Sequence, residues 1–426
     1  MTREQFAERI RIGHNLGNAL ECIEPVYDSA ATIKIDRAVT DKNGYHDHRI
    51  IIQYPDGTYS YFYNFDEIWS NAPVTEDFFK ILADIGVQLV RIPMNLSGHI
   101  IDDNNTVDPL WLKKIRSVVE MCINNDMVAN LCLHTDFVKY YRETQFESLF
   151  DLQNDPNDDA VGVLMSVWKQ MAEYVNDIPV DVLCFELTNE FRIHDMDDDL
   201  SHPNGRVLTF QEKAMYAARL NKYLFDAVRS VGGNAAKRFL LIENYANCAD
   251  MDKQTYIESF KNDFDSRCLM TACYYCPWEF TVCDRHNTWE LNSAIKPIME
   301  REMNRLKYIR EESGVPLVIT EYGVGCDNSG MEHKDKFSIC RYLYTVMKMM
   351  KNEGFPAFIW DPGYIIKRID YHYGIPFWRE MLRGIYFGEP FDLYESFTEH
   401  SEHLLFTRHY YGVSRTAEDI RALDDI

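Results

Sequence analysis

The chain of 426 residues contains no run of about 18 consecutive apolar residues, so no membrane-crossing helix is expected. It is poor in positive charge. Its 44 Lys and Arg face 67 Asp and Glu, and a formal net charge of -23 would repel the phosphates of a nucleic acid. There is no H-E-x-x-H pair, and "GCDNSGM" at 325–331 lacks the Lys-Ser/Thr ending of a phosphate loop. Neither a metal nor a cofactor is therefore expected. The opening "MTREQFAERI" is charged and has no apolar signal core, so the expectation is a protein kept inside the cell or exported with its signal removed. Low-complexity and linker-like tracts are also missing, which favours one domain over 1–426.

The 11 cysteines are odd in number, and Cys122, Cys132, Cys184 and Cys273 lie inside apolar segments. That pattern reads as buried, reduced thiols and not as a disulfide framework. Cys273, Cys276 and Cys283 lie close together, but no second pair or histidine sits at zinc-ligand spacing.

What the chain does have is a rhythm. Short apolar, often β-branched runs at 10–14, 88–92, 128–133, 181–187, 238–242, 268–274, 316–320 and 356–359 alternate with amphipathic stretches of i, i+3, i+4 spacing. Several follow a Gly or Pro breaker, as in "IGVQLVRIP" and "SGVPLVITE". Eight buried strands alternating with helices predict a parallel (β/α)8 TIM barrel. An open doubly wound sheet is the competitor, but its glycine fingerprint is missing after the first run. One segment breaks the rhythm: "HRIIIQYPDGTYSYFYNF" reads as a β-hairpin turning at Pro55-Asp56-Gly57, within an insertion of about 22–72 after the first strand. A C-terminal extension of about 388–426 follows the last helix and is expected to wrap the outside.

Two runs carry a chemical signal. "DVLCFELTNEF" and "VPLVITEYG" each end on a glutamate, Glu190 and Glu321, and a carboxylate at the tip of a buried strand is costly unless it is used. In a parallel barrel the chemistry collects at the C-terminal strand ends. Those ends carry Arg91, His134, Asn189 with Glu190, Glu243 with Asn244, Tyr275, Glu321 and Trp360. The fourth and seventh strands face each other across such a mouth. Their glutamates can then lie at the roughly 5–5.5 Å that retaining glycoside hydrolysis requires. On that reading Glu190 is the acid/base and Glu321 the nucleophile, kept ionised by donors such as Tyr275 and Arg91. Arg91 is equally readable as a buried partner of Glu186, and the two roles are compatible.

The motifs "GHNLGNALE" (13–21), "IWSNAPVT", "LTNE", "YYCPWEFT" (274–281), "ITEYG" and "FIWDPG" occur in the order and spacing of glycoside hydrolase family 5. The chain resembles that cellulase family over about four-fifths of its length, most closely the endoglucanase and xyloglucanase branch. The resemblance implies a (β/α)8 barrel and an endo-β-1,4-glycanase acting on cellulose, xyloglucan or mixed-linkage glucan by double displacement. It implies that Asn189 binds the sugar 2-hydroxyl and that His134 bonds substrate. Trp360 would floor the subsite of the reacting sugar, Trp278 and Trp69 would serve neighbouring subsites, and Asn18 belongs to the opening motif. The expected partner is a β-linked polysaccharide or oligosaccharide, with no nucleic acid or membrane, and the protein is expected to be a monomer.

Three positions depart from the family. Cys273 stands where a histidine is usual, Thr135 where a second histidine is common, and Phe191 where proline is usual. The first departure motivates an alternative: a catalytically weakened barrel that binds glycans. A mannan-active or exo-acting relative is the other.

Overall fold

The computed structural model describes residues 1–22, 32–36, 49–53, 59–62, 72–134, 159–191, 209–249, 252–283, 286–325, 334–368 and 370–404. A short helix, α1 (Arg3–Arg9), precedes the first strand; Thr2 and Gln5 cap it reciprocally. Then comes β1 (Ile12–Leu16), followed by a separate antiparallel sheet of β2 (Thr32–Asp36), β3 (Arg49–Gln53) and β4 (Tyr59–Phe62). From there strand and helix alternate. The order is α2 (Glu76–Ile85), β5 (Leu89–Met94), α3 (Pro109–Asn124), β6 (Val128–Leu133), α4 (Asp159–Tyr174), β7 (Leu183–Glu186), α5 (Phe210–Ser230) and β8 (Leu240–Ile242). The second half runs α6 (Lys253–Asp263), β9 (Cys268–Tyr274), the single turn α7 (Trp278–Thr281), α8 (Ile295–Ser313), β10 (Leu317–Tyr322), α9 (Lys336–Glu353) and β11 (Ala357–Asp361). Helices α10 (Trp378–Phe387) and α11 (Leu393–His400) follow.

Strands β1 and β5 to β11 close into an eight-stranded parallel barrel, β1 pairing with both β5 and β11. The expected (β/α)8 fold is the observed one. The local chemistry explains the helices. In α2, Phe78, Phe79, Leu82 and Ile85 form the buried stripe, and Gly86 ends the helix at φ +98°, a conformation that suits glycine. The hairpin expected in the insertion is present as β3 and β4, but β2 also pairs antiparallel with β3, from Thr32 opposite Gln53 to Asp36 opposite Arg49. The inserted unit is thus a three-stranded sheet. Beyond Gly388 the described tail lies on the outer layer, where Phe397 of α11 packs its ring 4.6 Å from Phe337 of α9.

The barrel interior has two levels. At the N-terminal end, Leu89, Cys184, Leu241, Leu269, Val318 and Phe358 are fully buried, and Phe6 of α1 stacks on Phe239 at 4.1 Å to close the bottom. Gly13 is required here by packing: a Cβ would fall 1.9 Å from the Phe358 ring. Two residues further along each strand, on the same face, the inward positions turn polar at Asn15, Arg91, Asn130, Glu186, Glu243, Thr271 and Thr320, with Trp360 at the eighth.

Candidate active site

Arg91, wholly buried on β5, organises the upper level. Its Nε and one terminal nitrogen donate to Glu186 at 2.6 and 3.0 Å. The other terminal nitrogen donates to Asn15 Oδ1 at 2.9 Å and Glu321 Oε1 at 2.6 Å. Asn189 Oδ1 accepts a further bond at 2.6 Å, and Cys132 Sγ one at 3.0 Å. Every N–H of the guanidinium is engaged, in a fork geometry that lysine could not reproduce. Arg91 pairs with Glu186 and with Glu321 at once.

Glu321 reaches this network by an irregularity. On β10, Val318 points into the barrel, so strict alternation would send residue 321 outward. Between Ile319 and Glu321, however, β10 advances two residues while β9 advances one, from Ala272 to Cys273. The same extra residue appears against β11, where Ile319 to Tyr322 spans Ala357 to Ile359. A bulge of this kind re-aims a side chain, here a carboxylate. Tyr275 donates its hydroxyl to Glu321 Oε2 at 2.9 Å, and His134 Nε2 lies 3.7 Å from Oε1. Burial would raise the Glu321 carboxyl, but the Arg91 charge, His134 and Tyr275 outweigh it and hold the group well below the usual carboxylate range. Burial and the Glu321 charge push the Tyr275 phenol upward, so it keeps the proton it donates.

Glu190 lies four residues beyond the end of β7 and has φ +47°, a left-handed conformation that is strained for a residue with a side chain. Its backbone N–H donates to Glu243 Oε2 at 2.7 Å, and that of Phe191 donates to Glu243 Oε1 at 2.8 Å. Burial pushes the Glu243 carboxyl up to about 8, overcoming these two bonds. Carboxylate oxygens of Glu190 and Glu321 and the sulfur of Cys273 all lie within 4.8 Å of one another. Asn247 Nδ2 donates to that sulfur at 3.3 Å. Burial first, then the charges of Glu321 and Glu190, drive the Cys273 thiol upward, so it is a neutral group between two acids. These three side chains are a possible ligand trio for a metal, but the guanidinium already on Glu321 opposes a second cation there.

The opposite wall comes from β1 and β11. Asn15 donates to the carbonyls of Thr320, Phe358 and Ile359, tying three strand ends together. Asp361 accepts the N–H groups of residues 363 to 366, and Arg368 donates to the carbonyls of Gly17 and Asn18 at 2.8 and 2.7 Å. This frame holds Trp360, whose ring is nearly parallel to His134, with centroids 5.5 Å apart.

Of the residues singled out in the sequence, Arg91, Asn189, Tyr275, His134, Glu190, Glu321 and Trp360 gather at this one barrel mouth. Asn18 has φ +54° and is 7% exposed; its backbone N–H donates to Glu21 and its carbonyl accepts from Arg368. Trp278, at the start of α7, is 47% exposed beyond the end of β9. Trp69 and Thr135 lie outside the described residues. Asn15 and Glu243 are positioned in the site without having been assigned a role from sequence. Glu243 had a signal: "FLLIEN" is a third apolar run ending on glutamate.

Two carboxyl groups this close at the mouth of a parallel barrel, beside an aromatic platform, place the protein among barrel enzymes that hydrolyse glycosidic bonds. Comparison with known families agrees. The model of Cellulase (glycosyl hydrolase family 5) matches residues 54–364, and the chain belongs to that family. It is 25% identical over 305 residues to endoglucanase B of Neocallimastix patriciarum, covering 70% of this chain and 57% of that protein. It is 26% identical over 303 residues to endoglucanase A of Ruminococcus albus, covering 70% and 76%. Among solved structures, a family 5 lichenase from Caldicellulosiruptor sp. F32 in complex with cellotetraose superimposes with a TM-score of 0.67 at 19% identity, over 90% of this chain and 95% of that one. That likeness supports the fold.

Proposed function

We propose that the chain is one catalytic barrel, a retaining endo-β-1,4-glycanase that cuts β-glucan-type chains by double displacement. The observation that carries the reading is the separation of the Glu190 and Glu321 oxygens, within 4.8 Å. Retaining enzymes hold their carboxyl groups at roughly 5–5.5 Å, whereas inverting ones need about 6.5–9.5 Å to admit a water.

In the first step Glu321, held ionised, attacks the anomeric carbon. The glycosidic C–O bond breaks as Glu190 gives its proton to the leaving oxygen, and a glycosyl ester remains on Glu321. Glu190, now a carboxylate, takes a proton from water. The water oxygen then attacks the same carbon, and Glu321 departs. Asn189 has its amide oxygen committed to Arg91. That leaves the amide NH2 to donate to the 2-hydroxyl, a bond that strengthens as charge develops on the ring. Trp360 offers its face to the reacting sugar. The endoglucanase and lichenase names of its relatives, and the cellotetraose bound by one of them, favour a glucan backbone.

The test is to follow reducing ends and the anomeric configuration of first products by NMR on cello-oligosaccharides and soluble glucans. Initial β-anomers, lost on the order of 10⁴-fold or more in Glu321→Gln, support the assignment. Initial α-anomers would overturn the retaining mechanism. Tight oligosaccharide binding without turnover would instead make the protein a glycan binder. A small polysaccharide panel then ranks glucan, xyloglucan, mixed-linkage glucan and mannan.

A further inference from the structure

The Glu190 backbone is held by a residue from another strand. Glu243 follows β8, is 1% exposed and spends both carboxyl oxygens on consecutive N–H groups, those of Glu190 and Phe191. Consecutive N–H groups around a left-handed residue form a small concave nest for an acidic group. Here the group filling the nest is an internal side chain. The surroundings hold Glu243 still: Asn221 donates to its carbonyl at 3.1 Å, and Ala246, three residues on, donates its N–H to the carbonyl of Phe191 at 2.8 Å. The Phe191 ring packs edge-on against Tyr245, 5.9 Å between centroids. Residue 191 can take part only because it is not proline, which has no N–H to give.

We propose that Glu243 is the positioning residue of the proton donor: by accepting both N–H groups it holds residue 190 in its left-handed conformation and aims the Glu190 carboxyl at the leaving oxygen. The inference rests on Glu190 being the acid/base. Glu243 touches no substrate in this role and acts through Glu190 alone. Misplacing the donor should therefore weaken protonation of the leaving group and leave attack by Glu321 intact.

Leaving-group chemistry separates this from a general structural defect. Glu243→Gln keeps one acceptor but turns an amide NH2 toward the second N–H, breaking the clamp on one side. On a series of aryl β-cellobiosides, kcat/KM should fall on the order of 10²-fold for the least acidic phenols. For a dinitrophenyl leaving group, which departs unprotonated, it should stay within about fivefold of wild type. Glu243→Asp, one methylene shorter, should give the same dependence in weaker form and serves if the Gln variant does not fold. An equal loss across all leaving groups, or no loss, overturns the proposal. Glu190→Gln run alongside keeps the two ideas apart. If it shows the leaving-group dependence and the Glu243 variants do not, only the positioning role fails. If it does not, the acid/base reading itself fails.

Discussion

Cys273 and Glu321 are register partners across β9 and β10, one step past the extra residue that turns Glu321 into the barrel. The pairing sets an uncharged thiol beside the carboxylate of Glu321, the proposed nucleophile, and within 4.8 Å of that of Glu190, the proposed proton donor. The consequences of this neighbourhood can be measured.

Histidine in place of Cys273 would present an N–H donor to the acids, where the thiol is a weak one. Cys273→His should raise kcat by up to about tenfold, the scale of one added hydrogen bond to a charged group, and shift the alkaline limb of the rate profile. Steady-state rates against pH on an aryl cellobioside check this. The native thiol, driven upward by burial and by Glu321 and Glu190, should react slowly with iodoacetamide at neutral pH, as peptide mapping would reveal.

Tyr275 supplies one of the donors that keep Glu321 ionised. Tyr275→Phe should lower kcat/KM by about tenfold to a hundredfold and move the acidic limb of its pH profile upward. The sign follows from the folded Glu321 value lying below its ordinary 4.5. Its stabilising contribution is complete above about that pH and is lost as pH falls through the folded value. An unmoved acidic limb would mean another group governs it.

Glu243 behaves in the opposite sense. Its folded value of about 8 lies above the ordinary 4.5, so its proton-linked contribution is complete below about 4.5 and is lost as pH rises through about 8. Between pH 5 and 9 the melting temperature of wild type should drop, relative to that of Glu243→Gln, by about 2–5 °C. Calorimetric scans of both proteins across that range provide the comparison, and a constant difference would rule out the titration.

Gly13 is a packing position far below the acids. Gly13→Ala would drive a methyl into the Phe358 ring and should cost about 2–3 kcal/mol. Adding Phe358→Leu should recover part of the loss. Urea unfolding of the single and double variants measures both effects.

Much of the architecture was legible in the sequence because its causes are local. The runs at 128–133 and 268–274 have the boundaries read from composition and breakers, since period is written in neighbouring residues. The capped first helix is only seven residues long, too short for a periodic apolar stripe to mark it. The third strand of the inserted sheet, β2, pairs with β3 across residues 37–48 and was not expected from the sequence, although that stretch carries Asn43-Gly44, a turn-type pair. Glu243 stands among the strand-end residues in the sequence but without a role, because its bonds go to the backbone beyond a different strand.

The sequence by itself determined an eightfold strand and helix rhythm and the placing of acids, an arginine, a histidine and a tryptophan just beyond apolar runs. Periodicity is a property of adjacent residues and survives without knowledge of the fold. Only the tertiary structure decided which way Glu321 points, because its direction depends on one residue of slippage against two neighbouring strands. Only there, too, was Glu190 given its left-handed turn, since the bonds that hold it come from a residue 53 positions away.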